Sequence, residues 1–186
     1  MTTSISFDEP DFQQFFNYWD ELRGDDLVPA KSNFDPRRVS SLLPKLSVLQ
    51  WRPPDHLFLR LMGTGIVSQL RGERTGTNLL DIIQASQRDE VTKFTASLFS
   101  QVSIAIVDTQ RHFASGKRVG LLFGFFPFRN DSDDVNFAVG VHRADLDADR
   151  LVAPNDNLIH AEVFGYEFID IGSGIPDLVF GADGRG

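Results

Sequence analysis

Leu57-Phe58-Leu59-Arg60-Leu61-Met62-Gly63-Thr64-Gly65 is the stretch on which the fold turns. Its apolar-rich first part reads as a strand, and the two glycines around Thr64 read as a tight turn into a helix. Leu57, Leu59 and Leu61 share one face, with Phe58, Arg60 and Met62 on the other. Apolar residues on both faces predict that both are at least partly covered. Residues 46–51 upstream read as the partner strand, joined through a turn at 52–55 that carries two prolines.

Further upstream, residues 10–22 read as a helix. Phe12, Phe15, Phe16, Trp19 and Leu22 fall on one face at helical spacing, and Gly24 is placed to end it. Pro36 opens a short helix to residue 43, which Pro44 stops. Downstream, 65–70 and 78–83 read as helices of one or two turns. Residues 86–101 form a longer one, with Val91, Phe94, Leu98 and Val102 near 3.6 spacing. Residues 104–113, 119–128 and 135–142 then read as three strands with short links, an antiparallel meander. From Arg143 on the chain turns acidic, with three arginines against nine acids. Within this tail, Phe164, Tyr166 and Phe168 alternate in a way that allows one more strand. The expected organisation is a tail over 1–9, a domain over 10–143 and an acidic extension over 144–186, fraying at 181–186.

Composition narrows the function classes. A chain of 186 residues with 41% hydrophobic and 24% charged residues supports a folded domain. Its 17 Phe against two Tyr and two Trp suit buried sheet faces or a contact surface. A net charge of −8 disfavours phosphate backbones, and Arg37-Arg38 and Arg71 with Arg74 are too short to make a basic patch, so no nucleic-acid partner is expected. Without cysteine there is no disulfide, thiolate metal site or thiol nucleophile. Residues 1–10 lack the apolar core of a signal peptide, and no run approaches the roughly 20 residues of a membrane helix. Cytoplasmic placement without membrane insertion is the expectation. Asn130-Asp131-Ser132 is read as a chance glycosylation triplet in a turn.

The order helix, two strands, short helices, three strands is the layout of a PAS domain: α+β, a five-stranded antiparallel sheet with helices inserted after the second strand, here preceded by an aromatic helix. At residue level the chain resembles a bacterial PAS family best known from alphaproteobacteria. The resemblance rests on Trp19-x-x-Leu22-Arg23-Gly24, Asp35-Pro36 with Leu42-Leu43-Pro44, and Phe58 to Thr64. It also rests on Gly72-Glu73-Arg74-Thr75-Gly76, Asn78-Leu79 and the strand closing on Phe126-Pro127-Phe128. It spans roughly residues 10–142. Ser68-Gln69-Leu70-Arg71 stands where an apolar run is more usual, and Phe126-Pro127-Phe128 replaces a more aliphatic ending.

The resemblance implies a sensory or interaction module without chemistry of its own, which holds a small ligand between sheet and helices or pairs with other proteins. Ligand identity is not implied. Candidate ligand-binding residues are Arg60, Thr64, Phe94 and His112. Phe12, Phe16 and Trp19 are the candidate homodimer face, with packing on the chain's own sheet as the alternative. A single PAS unit is expected to act through a protein partner. Haem and flavin are disfavoured: residues 86–101 contain no His to ligate haem, and the cysteine of the best-known flavin photoreceptors is missing.

Other constellations read as structural. Gly63-Thr64-Gly65 has Ser68 in place of the third glycine of a dinucleotide fingerprint. His56, His112, His142 and His160 lack metal-ligand spacing. Asp133-Asp134 and the run Asp145, Asp147, Asp149 read as solvated turn charges, the latter without the glycine and terminal Glu of a calcium loop. No Gly-x-Ser-x-Gly, Ser-x-x-Lys or His-Glu-x-x-His motif occurs. A purely structural interaction module with a filled cavity, and a small-molecule enzyme on a related scaffold, are the competing expectations.

Overall fold

Helix α1 (Pro10–Arg23) lays its aromatic face on the chain's own sheet: Phe12, Phe15 and Trp19 are all 0% exposed. The computed structural model describes residues 9–178; all but the last residue of the expected tail over 1–9, and the fraying at 181–186, lie outside the described residues. Pro10 at the first helical position and Gly24 at φ 56° mark the two ends of α1. Trp19 Nε1 donates 2.8 Å to the carbonyl of Pro127, tying the helix to a central strand.

The sheet is antiparallel, with strands β1 (Leu46–Arg52), β2 (His56–Met62), β3 (Ile104–Phe113), β4 (Arg118–Arg129), β5 (Val135–Ala144) and β6 (Leu158–Ile169). Their spatial order is β2-β1-β5-β4-β3-β6. The sixth strand comes from the acidic tail, along the alternation of Phe164, Tyr166 and Phe168. It pairs with β3 over nearly its whole length. Between β2 and β3 lie α2 (Thr64–Gln69), two 3-10 segments (Leu79–Ile82 and Ala85–Gln87) and α3 (Arg88–Ser100). A five-residue helix, α4 (Leu146–Arg150), links β5 towards β6.

Strand alternation divides the core in two. Ile104, Ile106, Phe126, Phe128, Val139 and Val141 face α1 and the 3-10 segment Pro36–Lys45. Ala105, Val107, Phe123, Phe125 and Val163 face the inserted helices, with Phe94, Leu98 and Phe99 of α3. The sheet is therefore covered on both sides by its own chain.

A β-bulge changes one expectation about β2. Val48 pairs with Leu61 and Leu49 with Leu59, so Arg60 is the extra residue. The phase of the strand shifts there: Leu57 and Leu59 are buried, Leu61 is 50% exposed, and Met62 turns in. The glycine after Met62 is required by a close approach. A β-carbon on Gly63 would meet the carbonyl oxygen of Leu43 and lie 2.6 Å from the backbone of Pro44.

Candidate ligand cavity

Val107, Thr109 and Arg111 alternate along β3 and point towards the inserted helices. Beside them stand Leu121, Phe123 and Phe125 of β4, His142 of β5, and Ala161, Val163 and Tyr166 of β6. Leu57, Leu70, Leu80, Val91, Phe94 and Thr95 close the opposite side. Between them lies a cavity of about 80 Å³. Its aromatic wall is tightly set, with the Phe94 ring 4.4 Å from Tyr166 and 5.3 Å from Phe168.

Two side-chain amides hold the helical roof in place. Asn78 Oδ1 accepts from the Leu57 amide at 2.9 Å and caps the segment Leu79–Ile82 by accepting from the Leu80 amide at 3.2 Å. Gln87 makes a reciprocal pair with the tail strand: its Nε2 donates 2.8 Å to the Val163 carbonyl, and its Oε1 accepts 2.9 Å from the Val163 amide. The Gln84 amide adds a bond to the Ala161 carbonyl. The cavity thus has one wall that belongs to the tail.

Most polar groups along the cavity are satisfied. Thr109 donates to the Leu121 carbonyl and Thr95 to the Val91 carbonyl. His142 Nε2 lies 2.9 Å from Ser47 Oγ, and burial, reinforced by the nearby Arg111 charge, pushes its pKa down to about 3. The imidazole is neutral at pH 7.

Arg111 is different. Its side chain is 0% exposed. Nη1 donates 2.5 Å to the Gln69 carbonyl, while Nε and Nη2 have no hydrogen-bond partner among the described residues. Asp149 of α4 supplies the counter-charge, with Oδ1 3.5 Å from Arg111 Nη2 and Oδ2 3.5 Å from Arg71 Nη1. Burial lowers the Arg111 pKa to about 10, against the opposing pull of Asp149. Arg71, at φ 54°, fastens the tail through its backbone: Nη2 donates to the carbonyls of Asp149 and Val152, and Nε to that of Ala153.

The candidates named from sequence scatter. Phe94 lines the cavity. Arg60 does not: as the bulge residue it is exposed, over the Phe58 ring and 3.4 Å from Gln50 Oε1. Thr64 is exposed in a surface groove with Leu43, Pro44 and Leu61. His112 lies on the opposite face from Arg111, stacked on His160 at 4.6 Å, with Nε2 3.2 Å from Glu162 Oε2. Strand parity separates it from the cavity by a single residue. Of the three residues named for a dimer face, Phe12 and Trp19 are packed wholly within the chain and Phe16 is half-buried.

Sequence reading missed Arg111 and His142. The available signal was parity: Val107, Thr109 and Arg111 share a face, as do Ala138, Gly140 and His142. Among the described residues no group of His, Asp and Glu is arranged to hold a metal ion, and no helix is long and apolar enough to cross a membrane.

A family model described as PAS domain matches residues 7–143. The chain belongs to that PAS family. The match ends just before α4, so Asp149 and all of β6 lie beyond the matched residues. Among solved structures, the PAS chain is similar to that of the VqmA–ligand–DNA complex of Vibrio cholera. Identity is 10% and the TM-score 0.43, over 60% of this chain and 52% of that one, so this chain spans about half of that protein's length. No curated protein matches.

Proposed function

We propose that this PAS domain is a cytoplasmic sensory or regulatory module. It takes a small molecule into the cavity between sheet and inserted helices, catalyses no reaction, and signals by changing its association with a protein partner or a second copy of itself. The observation that carries the reading is the cavity: an apolar space of about 80 Å³, walled by Phe94, Phe125 and Val163, beside a buried cation with two unused donors. A space of that size suits a molecule of a few carbon atoms, well below the several hundred Å³ of larger ligand sites. Exposed apolar side chains at Ile159 and Phe164 on the edge strand β6 support an association surface.

Native mass spectrometry of the purified protein tests the ligand reading, alongside a thermal-shift screen of small organic molecules. A co-purified small molecule, or saturable stabilisation abolished by the cavity-filling Ala161→Phe, supports it. An empty protein that no compound stabilises favours an interaction module with a filled core. Sedimentation with and without the stabilising compound tests the change in association.

A further inference from the structure

Arg111 is the one charged side chain lining the cavity among the described residues. Every other polar group there is neutral, and no carboxylate reaches the lining. The two nitrogens without a hydrogen-bond partner, Nε and Nη2, form one edge of the guanidinium. Their N–H bonds run parallel and match the two oxygens of a carboxylate. Nη1, at the other corner, is engaged with the Gln69 carbonyl, which fixes the plane of the group.

The counter-charge is incomplete. Asp149 Oδ1 stands 3.5 Å from Nη2 and itself makes no hydrogen bond among the described residues. Its other oxygen faces Arg71, so one carboxylate is shared between two guanidiniums and the cluster keeps a net positive charge. A buried cation in that state leaves donors unsatisfied, which a bound anion relieves. Asp149 and Arg71 also line an outer groove with Ser68, Gly72 and Val152. The Arg111–Asp149 pair is thus the partition between cavity and groove.

On the reading of the cavity as a ligand site, we propose that its ligand is a small monocarboxylate. The carboxylate accepts side-on from Nε and Nη2 of Arg111, and a short apolar body lies among Phe94, Phe125, Leu80 and Val163. Asp149 is the built-in competitor for the same edge. Because it sits on α4, in the tail beyond the family match, occupation of the cavity loosens the tail's hold.

The test titrates propionate, butyrate and benzoate against butyramide and benzamide, by calorimetry and by backbone amide shifts, at constant ionic strength. The acids are expected to bind at least tenfold more tightly than the amides of the same shape. The largest shifts are expected at Arg111, Gln69 and residues 146–153. Arg111→Met should abolish the preference for acids. Asp149→Asn, which leaves Arg111 in place, should tighten butyrate binding several-fold, so a poorly folded Arg111→Met does not remove the test. Equal binding of acid and amide overturns the carboxylate assignment and leaves the ligand cavity standing. An identical response to sodium chloride alone identifies an adventitious ion only, and also overturns it. Weaker butyrate binding by Asp149→Asn rules out the competition. If neither class binds, both this assignment and the ligand-site reading fall.

Discussion

Asp149 Oδ1 stands 3.5 Å from Arg111 Nη2, an ion pair between the tail helix and the cavity strand that is closed by charge and not by hydrogen bonds. Arg111 is wholly buried and Asp149 nearly so, at 0% and 14% side-chain exposure. Removing one partner leaves the other charge uncompensated, which costs more than the pair itself contributes. Asp149→Ala is expected to destabilise the fold by about 3 kcal/mol. The double variant Arg111→Met/Asp149→Ala should recover a large part of that loss. Urea denaturation of the two single variants and the double measures it, and simple additivity would show that the residues act separately.

Trp19 ties α1 to the sheet through the 2.8 Å bond from its indole N–H to the Pro127 carbonyl. Proline in the interior of β4 offers an acceptor and no donor. Trp19→Phe keeps much of the packing and leaves that buried carbonyl unpaired, an expected loss of about 1–2 kcal/mol. Trp19→Ala should cost about 3–5 kcal/mol by opening a cavity beside Phe16. Chemical denaturation distinguishes the two; equal losses would mean that the hydrogen bond contributes nothing.

Gly63 has no room for a side chain, because the neighbours in the way are the backbone atoms of Leu43 and Pro44. Backbone cannot swing aside as a side chain can. Gly63→Ala is expected to cost about 2–3 kcal/mol. Gly72→Ala, where a β-carbon meets nothing within 4 Å, is the matched control and should be close to neutral. Melting temperatures of the two variants provide the comparison.

His142 accepts a proton less readily folded than unfolded, with a pKa of about 3 against the ordinary 6.5. Burial also lowers that of His112, helped by His160 and Arg118. The stability from keeping these rings neutral is present in full above about pH 6.5 and is lost as pH falls below it. For His142 this amounts to up to about 1.4 kcal/mol per pH unit through that window, and His112 acts in the same direction. Unfolding free energy measured between pH 7 and pH 5 should therefore decline, with a shallower slope in His142→Asn. A flat profile would mean that the imidazole is solvated.

Much of this molecule was written locally. The 3.6 spacing of the aromatic helix, the turn glycines around Thr64 and the alternation of Val135 to His142 each specify an element from its own residues. The order of those elements carries the PAS layout. Burial of Phe12 and Trp19 against the chain's own sheet was not legible, because an apolar helix face looks the same whether its cover is internal or a partner. Arg60 and His112 were misplaced for a smaller reason: a bulge shifts the phase of one strand, and strand parity turns the other outward.

The sequence by itself determined the elements, their order and the family, since these follow from short-range periodicity and turn chemistry. Only the tertiary structure decided that the acidic tail becomes β6 and walls the cavity, and that Arg111, Asp149 and Arg71 converge there from separate segments. Such pairings depend on which strand edge is free and on where a buried charge finds its counter-charge. Both are settled by long-range packing, and no local pattern records them.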